Sequence, residues 1–128
     1  MSAKTQRIER GDVSRAIEGK PTAERSALKA DAFTRASLPS QFAYDGITIR
    51  VVEGPVREGA VLRVTLAATE GGKSLTLNNP YVFVNPPVLV RERDPETGEV
   101  VVREDLAAAW RAMLGDAVAG SLNRRRGR

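Results

Sequence analysis

The chain has no histidine and no cysteine, and only four of its twenty basic residues are lysines. Histidine is the side chain whose ordinary pKa lies nearest neutrality, and the cysteine thiolate is a strong nucleophile and metal ligand. Together these residues supply most general bases, covalent nucleophiles and soft-metal ligands of proteins. The composition therefore predicts a binding or structural protein with no enzymatic activity, no cofactor, no metal site and no small-molecule substrate.

Long apolar runs are also missing. None approaches the roughly 20 residues that a helix needs to cross a bilayer, and residues 1–10 lack the apolar centre of a signal peptide. The absence of cysteine fits a reducing compartment. We expect a protein made and used in the cytoplasm, with no membrane partner.

Large apolar residues divide the chain into three segments. Residues 1–45 hold 9 of them, residues 46–104 hold 21 and residues 105–128 hold 6, and the net charges in the same order are +2, −1 and +3. A chain of 128 residues is long enough for one modest core. We predict an extended N-terminal arm with short helices over 1–45, an antiparallel β body over 46–104, and a C-terminal amphipathic helix with a basic tail over 105–128.

The predicted arm has few large apolar residues, and they are widely spaced. Two short helices are expected, one from about Asp12 to Glu18 and one from about Thr22 to Ala36, with Leu38-Pro39 ending the second. Short isolated helices are marginal in water, so these need a surface to pack on. We therefore predict that the arm is disordered alone and contacts a partner subunit through Ile8, Val13, Ile17, Leu28 and Phe33.

From Ile47 the hydrophobic period becomes that of strands. Residues 47–51 and 60–69 alternate, a loop is expected between them, and Gly71 and Gly72 indicate a tight hairpin turn. Asp94-Pro95-Glu96-Thr97-Gly98 has the composition of a turn that ends with glycine in the left-handed region. The remaining strands are predicted over 74–77, 81–84, 88–93 and 99–103. The fold class is mainly β with helical appendages, as a small antiparallel barrel or sandwich of about five strands.

The C-terminal segment has a helical period. Leu106, Trp110, Leu114 and Val118 recur every four residues, with Asp105 as the N-cap and Gly120 as the expected stop. This stripe should pack on the sheet or on another subunit, so Trp110 is a further candidate for partner contact. The basic tail follows. Its arginines, which could contact nucleic-acid phosphate or an acidic protein, are Arg124, Arg125, Arg126 and Arg128.

Two short motifs resemble functional ones but have simpler structural interpretations. Residues 67–74 nearly match a phosphate-binding loop, yet residues 74–77 alternate like a strand where that loop requires a helix, which favours a hairpin turn. Tyr81 and Phe83 lie two apart, as in the stacking platforms of RNA-binding proteins. No second aromatic, basic strand accompanies them, so core packing is the better interpretation.

The combination of a valine-rich β body, a long arm, a C-terminal amphipathic helix and no catalytic residues is similar in general plan to small virion proteins of tailed phages, such as capsid decoration proteins or head and tail connectors. This resemblance implies a non-enzymatic assembly subunit, a homo-oligomer or shell protein found in the virion and assembled in the host cytoplasm. The alternative is a basic accessory protein that binds nucleic acid non-specifically through the arginine tail.

Overall fold

The computed structural model describes residues 6–125, and the side chains of residues 6–122. Strands hold 40% of the chain and helices 31%, which makes the protein mainly β as predicted. The elements in chain order are β1 (Gln6–Glu9), α1 (Asp12–Ala16), α2 (Thr22–Arg35), β2 (Gln41–Tyr44), β3 (Ile47–Glu58), β4 (Val61–Glu70), β5 (Lys73–Leu75), β6 (Tyr81–Val84), β7 (Leu89–Arg93), β8 (Val100–Glu104) and α3 (Leu106–Arg125).

The larger sheet is antiparallel and has five strands. Its order is β2-β3-β4-β5, and β6 pairs with β4 on the same side as β5. Two-residue turns join β2 to β3 and β4 to β5, with positive φ at Asp45 and Gly46 in the first and at Gly71 and Gly72 in the second. Such turns match the right-handed twist of the paired strands. The predicted hairpin turn at Gly71-Gly72 is confirmed.

The Asn79 side chain fills the gap that β5 and β6 leave along β4. Its Oδ1 accepts the Leu66 backbone N–H at 2.9 Å, and its Nδ2 donates to the Leu66 carbonyl at 2.8 Å. The amide thus supplies the two hydrogen bonds that a neighbouring strand would supply. Leu66 is buried, so leaving both groups unpaired would cost stability.

Strand β3 is longer than predicted, because it continues through the segment expected to be a loop. The register between β3 and β4 shifts between Val51 and Glu53 and again between Glu53 and Val56. Gly54 has a φ of +93°, and a Cβ there would lie 2.8 Å from the Arg63 carbonyl oxygen. Bulges built on this glycine absorb the extra residues, and the strand resumes pairing beyond them.

The second sheet has three strands in the order β1-β8-β7. Strands β7 and β8 form the predicted antiparallel hairpin, whose turn is closed by the Gly98 N–H donating to the Asp94 carbonyl at 2.8 Å. Asp94 also accepts the Glu96 N–H through its side chain. Strand β1, which the sequence did not predict, pairs with β8 in parallel.

The core lies between one face of the five-stranded sheet and helices α2 and α3. The sheet contributes alternate residues of β3 and β4, including Ile49, Leu62 and Val64, all at most 1% exposed. Helix α3 contributes the predicted stripe, and Asp105 caps it as expected, accepting the Ala108 N–H at 3.0 Å. Gly120 does not stop the helix, because burial of Leu122 extends the stripe by one turn and outweighs the low helix propensity of glycine.

Residues 22–44 belong to the folded body, which corrects the prediction of a separate arm. Ala30 and Phe33 of α2 are fully buried, and the Ser26 hydroxyl donates to the Ala60 carbonyl at 2.6 Å. Strand β2 packs beside α3, where a Cβ at Gly115 would lie 2.2 Å from the Tyr44 ring. Few but well-placed apolar residues suffice here, because the sheet itself provides the surface that these segments need.

Trp110 is 1% exposed and contacts both α2 and the segment that follows it. Its ring centroid lies 5.9 Å from that of Phe33, and its Nε1 donates to the Pro39 carbonyl at 3.1 Å. We expect Trp110→Ala to lower the free energy of unfolding by about 3–5 kcal/mol, through the cavity left and the hydrogen bond lost.

Chemical denaturation followed by circular dichroism measures this loss. Arg111→Ala, an exposed neighbour on the same helix, should change stability by no more than about 0.5 kcal/mol. A Trp110→Ala protein as stable as the Arg111→Ala control would show that the tryptophan is not part of the core.

Candidate functional site

The six side chains predicted to contact a partner fall into three different places. Phe33 and Trp110 are buried in the core of the chain itself and are not available as a contact surface. Val13 and Leu28 line a shallow cavity of about 480 Å³ on one side of α1. Ile8 and Ile17 line a second cavity on its other side. Arg124 and Arg125 lie at the end of α3, and their side chains, like all of Arg126 and Arg128, fall outside the described part of the chain.

The second cavity is a groove of about 440 Å³ between α1, α2 and the start of β7, which we call the α1–α2 groove. Its floor includes Ile8, which is 54% exposed, and Leu89, which is 40% exposed. Polar side chains stand at its rim. The complete lining is Ile8, Arg10, Ser14, Ile17, Glu18, Arg25, Lys29, Pro87, Val88 and Leu89.

Glu104, at the end of β8, holds α1 in place as one wall of this groove. Its carboxylate accepts the backbone N–H groups of Val13 at 3.2 Å and Ser14 at 2.7 Å, and the Ser14 hydroxyl at 2.8 Å. The N-cap residue Gly11 makes no side-chain capping bond, and a Cβ there would lie 2.6 Å from the carboxyl group. A distant carboxylate therefore does the work of the missing cap.

Two cations of α2 face the groove without a carboxylate partner. Among the described residues, the Arg25 side chain donates only to Thr22 Oγ1 at 3.5 Å, and Lys29 Nζ donates to Asn85 Oδ1 at 3.0 Å. Partial burial, and then the charge of Arg25, lower the pKa of Lys29. Like charges four residues apart destabilise a helix by about 0.2–0.5 kcal/mol. Lys29 is offset by its hydrogen bond to Asn85, whereas Arg25 has no comparable long-range contact among the described residues.

The third cation of the rim, Arg10, is neutralised by Glu18, with which it forms an ion pair. The pair spans the short α1 and closes one end of the groove. Both side chains are more than half exposed, so the pair contributes little to stability. The net positive charge of the groove therefore comes from Arg25 and Lys29.

A different exposed surface covers the outer side of the five-stranded sheet, and we call it the valine face: Val56, Val61, Val82 and Val84. Strand register places Val56, Arg63 and Val82 in one row, and Glu58, Val61 and Val84 in the next. Arg63 Nη1 lies 2.8 Å from Glu58 Oε2, so the two charges within this face neutralise each other. Around that pair Val56, Val82 and Val84 are exposed, while Val61 is half-buried.

Neither set of residues was predicted from the sequence, for two physical reasons. Arg25 and Lys29 stand four apart in a predicted helix, but their meeting with Ile8 and Leu89 depends on contacts between distant segments. Tyr81 and Phe83 were predicted to pack in the core, but no position was predicted for Val82 and Val84. The aromatic pair does pack against the core, as expected, and the alternation of a strand then requires the valines to face outward.

Two kinds of feature, a cluster of metal ligands and a membrane-spanning helix, are not found in residues 6–125. No three acidic side chains of residues 6–125 come together as a metal site would require. No helix in the same range combines the length and apolar character that crossing a bilayer demands. Residues 67–74, whose sequence nearly matches a phosphate-binding loop, form part of the β4–β5 hairpin, in which Glu70 pairs with Lys73.

Comparison with protein-family models, with curated proteins and with solved structures finds no match to this chain. Its function therefore has to be inferred from its own two surfaces, the apolar valine face and the cationic α1–α2 groove.

The position of α1, and with it the groove wall, should depend on Glu104. We expect Glu104→Ala to weaken the local closure of α1 by about 1.5–3 kcal/mol, the value of hydrogen bonds to a charged group. Hydrogen exchange of the Val13 and Ser14 amides, measured by NMR, should accelerate accordingly. Glu96→Ala removes the same charge from the β7–β8 turn and should leave both amides unchanged. Equal exchange in the two variants would contradict the capping role.

Proposed function

We propose that the protein is a non-enzymatic assembly subunit that associates with copies of itself through the valine face. The exposure of that face carries the proposal: Val56, Val82 and Val84 are 48%, 53% and 70% exposed and adjoin one another through strand register. Single exposed apolar residues are ordinary on protein surfaces, whereas contiguous ones are characteristic of contact surfaces. A partner that covers them gains the free energy of their burial.

A second copy is the partner that the charges of the valine face favour. In a two-fold symmetric dimer each patch meets an identical patch, so any uncompensated charge would meet its own sign. The Arg63–Glu58 pair cancels the two charges within the rows that hold the valines, and Glu53 borders these rows on the same side of the sheet. Two such faces can approach, with the valines of one protomer covering those of the other, where the Glu53 carboxylates stay at the edge of the contact.

The short length of β6 and the prolines on both sides of it favour a limited contact over open-ended aggregation. This strand is only four residues long, and no described strand pairs with its outer edge. Pro80 precedes it and Asn85-Pro86-Pro87 follow it. Prolines lack the amide donor that a growing sheet needs, so strand addition cannot extend beyond this short edge.

The general plan of the chain supports one particular kind of assembly. A valine-rich β body with an amphipathic C-terminal helix, and without histidine or cysteine, is similar to small virion proteins of tailed phages. We therefore propose a phage particle, assembled in the host cytoplasm, as the structure into which the subunit is incorporated. Purification of the protein from its native source, followed by identification of the proteins that co-sediment, tests this part directly.

Replacing two valines of the face by threonine should weaken self-association. Threonine keeps the β-branched shape that suits a strand, so Val82→Thr/Val84→Thr should fold normally. A dimer of the double variant contains four threonines in place of valines, and each buries less apolar surface. We expect the dissociation constant to rise by about 100-fold or more. Sedimentation velocity over a concentration series measures the change.

The control is Ile8→Thr, because Ile8 is as exposed as Val82 but lies on the other sheet. It should self-associate like the unmodified protein, and circular dichroism should show the same folded spectrum for all three proteins. A protein that stays monomeric at every concentration, or a double variant that associates as strongly as the control, would refute self-association through this face.

A further inference from the structure

The α1–α2 groove differs from the valine face in charge, and this difference decides what it can bind. Arg25 and Lys29 stand one turn apart on the same side of α2, and within the described residues neither has a carboxylate partner. A second copy presenting the same groove would be repelled. The groove therefore calls for an anionic partner, whose carboxylates or phosphates would compensate the two cations.

The floor of the groove narrows the choice of anion. Ile8, Ile17 and Leu89 give it an apolar surface, which a free inorganic anion would leave uncovered. Single-stranded nucleic acid binds through aromatic side chains on which its bases stack, and none lines this groove. A polypeptide that carries both carboxylates and apolar side chains satisfies the rim and the floor together.

The acidic surface of the chain itself does not fit. In the β7–β8 hairpin, Glu92 pairs with Arg103 and Glu99 with Arg7, while Asp94 accepts backbone N–H groups of its own turn. Glu96 is left, and the turn around it, Asp-Pro-Glu-Thr-Gly, offers no large apolar side chain for the floor. The β7–β8 hairpin is therefore not the occupant, and we assign the groove to a segment of another protein.

We infer that the α1–α2 groove binds an extended acidic segment of a partner protein, in which carboxylates alternate with apolar side chains. Residues four apart on a helix have Cβ atoms about 5–6 Å apart. In an extended chain, residues two apart lie on the same side and about 7 Å apart. Two carboxylates of such a segment match Arg25 and Lys29, while the side chains between them face Ile8 and Leu89.

The inference adds a second partner to the proposed assembly subunit and rests on that function only in taking a protein as the ligand. The two surfaces are separable by mutation. Val82→Thr/Val84→Thr should bind the acidic segment normally, and Arg25→Gln/Lys29→Gln should self-associate normally. Failure of one proposal therefore leaves the other standing.

The test uses the full chain and a fluorescein-labelled peptide in which two glutamates alternate with two leucines between flanking serines. A second peptide has glutamine in place of glutamate. Fluorescence anisotropy should show binding of the glutamate peptide that weakens as salt is raised, because the contacts are ionic. We expect the Arg25→Gln/Lys29→Gln protein to bind it at least about tenfold more weakly and with little salt dependence.

Arg50→Gln/Arg111→Gln is the matched control, since it removes two exposed cations outside the groove and should bind like the unmodified protein. Leu89→Ser tests the floor and should also weaken binding. Circular dichroism verifies that each variant is folded. Three results would overturn the inference: equal binding of the glutamate and glutamine peptides, equal loss in the Arg50→Gln/Arg111→Gln control, or tighter binding of a single-stranded oligonucleotide that depends on Arg25 and Lys29.

Discussion

The packing of Trp110 joins the three parts of the chain into one body. Its ring lies against Phe33 of α2, its Nε1 donates to the Pro39 carbonyl, and its own helix covers the five-stranded sheet. The indole thus buries a large apolar surface while its single donor is satisfied, which is how tryptophan is accommodated in a core. Because α2 forms one wall of the groove, the Trp110 contact helps to fix that wall against the core, together with the packing of Ala30 and the Ser26–Ala60 hydrogen bond.

The two surfaces differ in the physical constraint that selects their partners. A patch that contacts its own copy must be neutral or self-complementary, and the Arg63–Glu58 pair cancels the two charges within the rows that hold the valines. A patch with uncompensated charge must find the opposite sign elsewhere, and Arg25 with Lys29 gives the groove that property. In the assembly subunit that we propose, the first contact would repeat the subunit and the second would distinguish it from its other neighbours.

Local chemistry made the hairpins and the C-terminal helix predictable from the sequence. Gly71-Gly72 and Asp94–Gly98 form the expected turns, and the spacing of Leu106, Trp110 and Leu114 marks the buried side of α3. The Asp45-Gly46 turn was equally visible, since Asp-Gly between alternating apolar residues is a strong hairpin signal. Placing the domain boundary there separated β2 from the sheet to which it belongs. What the sequence could not provide was contact between distant segments: Phe33 was assigned to a partner because Trp110, against which it packs, lies far away along the chain.

The end of β8 shows how such distant contacts are organised. Glu104 and Asp105 are consecutive, yet Glu104 caps α1 and Asp105 caps α3, while the Asp105 N–H donates to the Val88 carbonyl at 3.0 Å. Two neighbouring carboxylates thus fix the starts of two helices that lie more than 90 residues apart in the chain. Val88 borders the groove and is itself buried, so its hydrogen bond ties the groove floor to the first turn of α3. The groove is consequently built onto the same core that presents the valine face, and its lining is already in place in the folded chain, as the proposed binding of a partner segment would require.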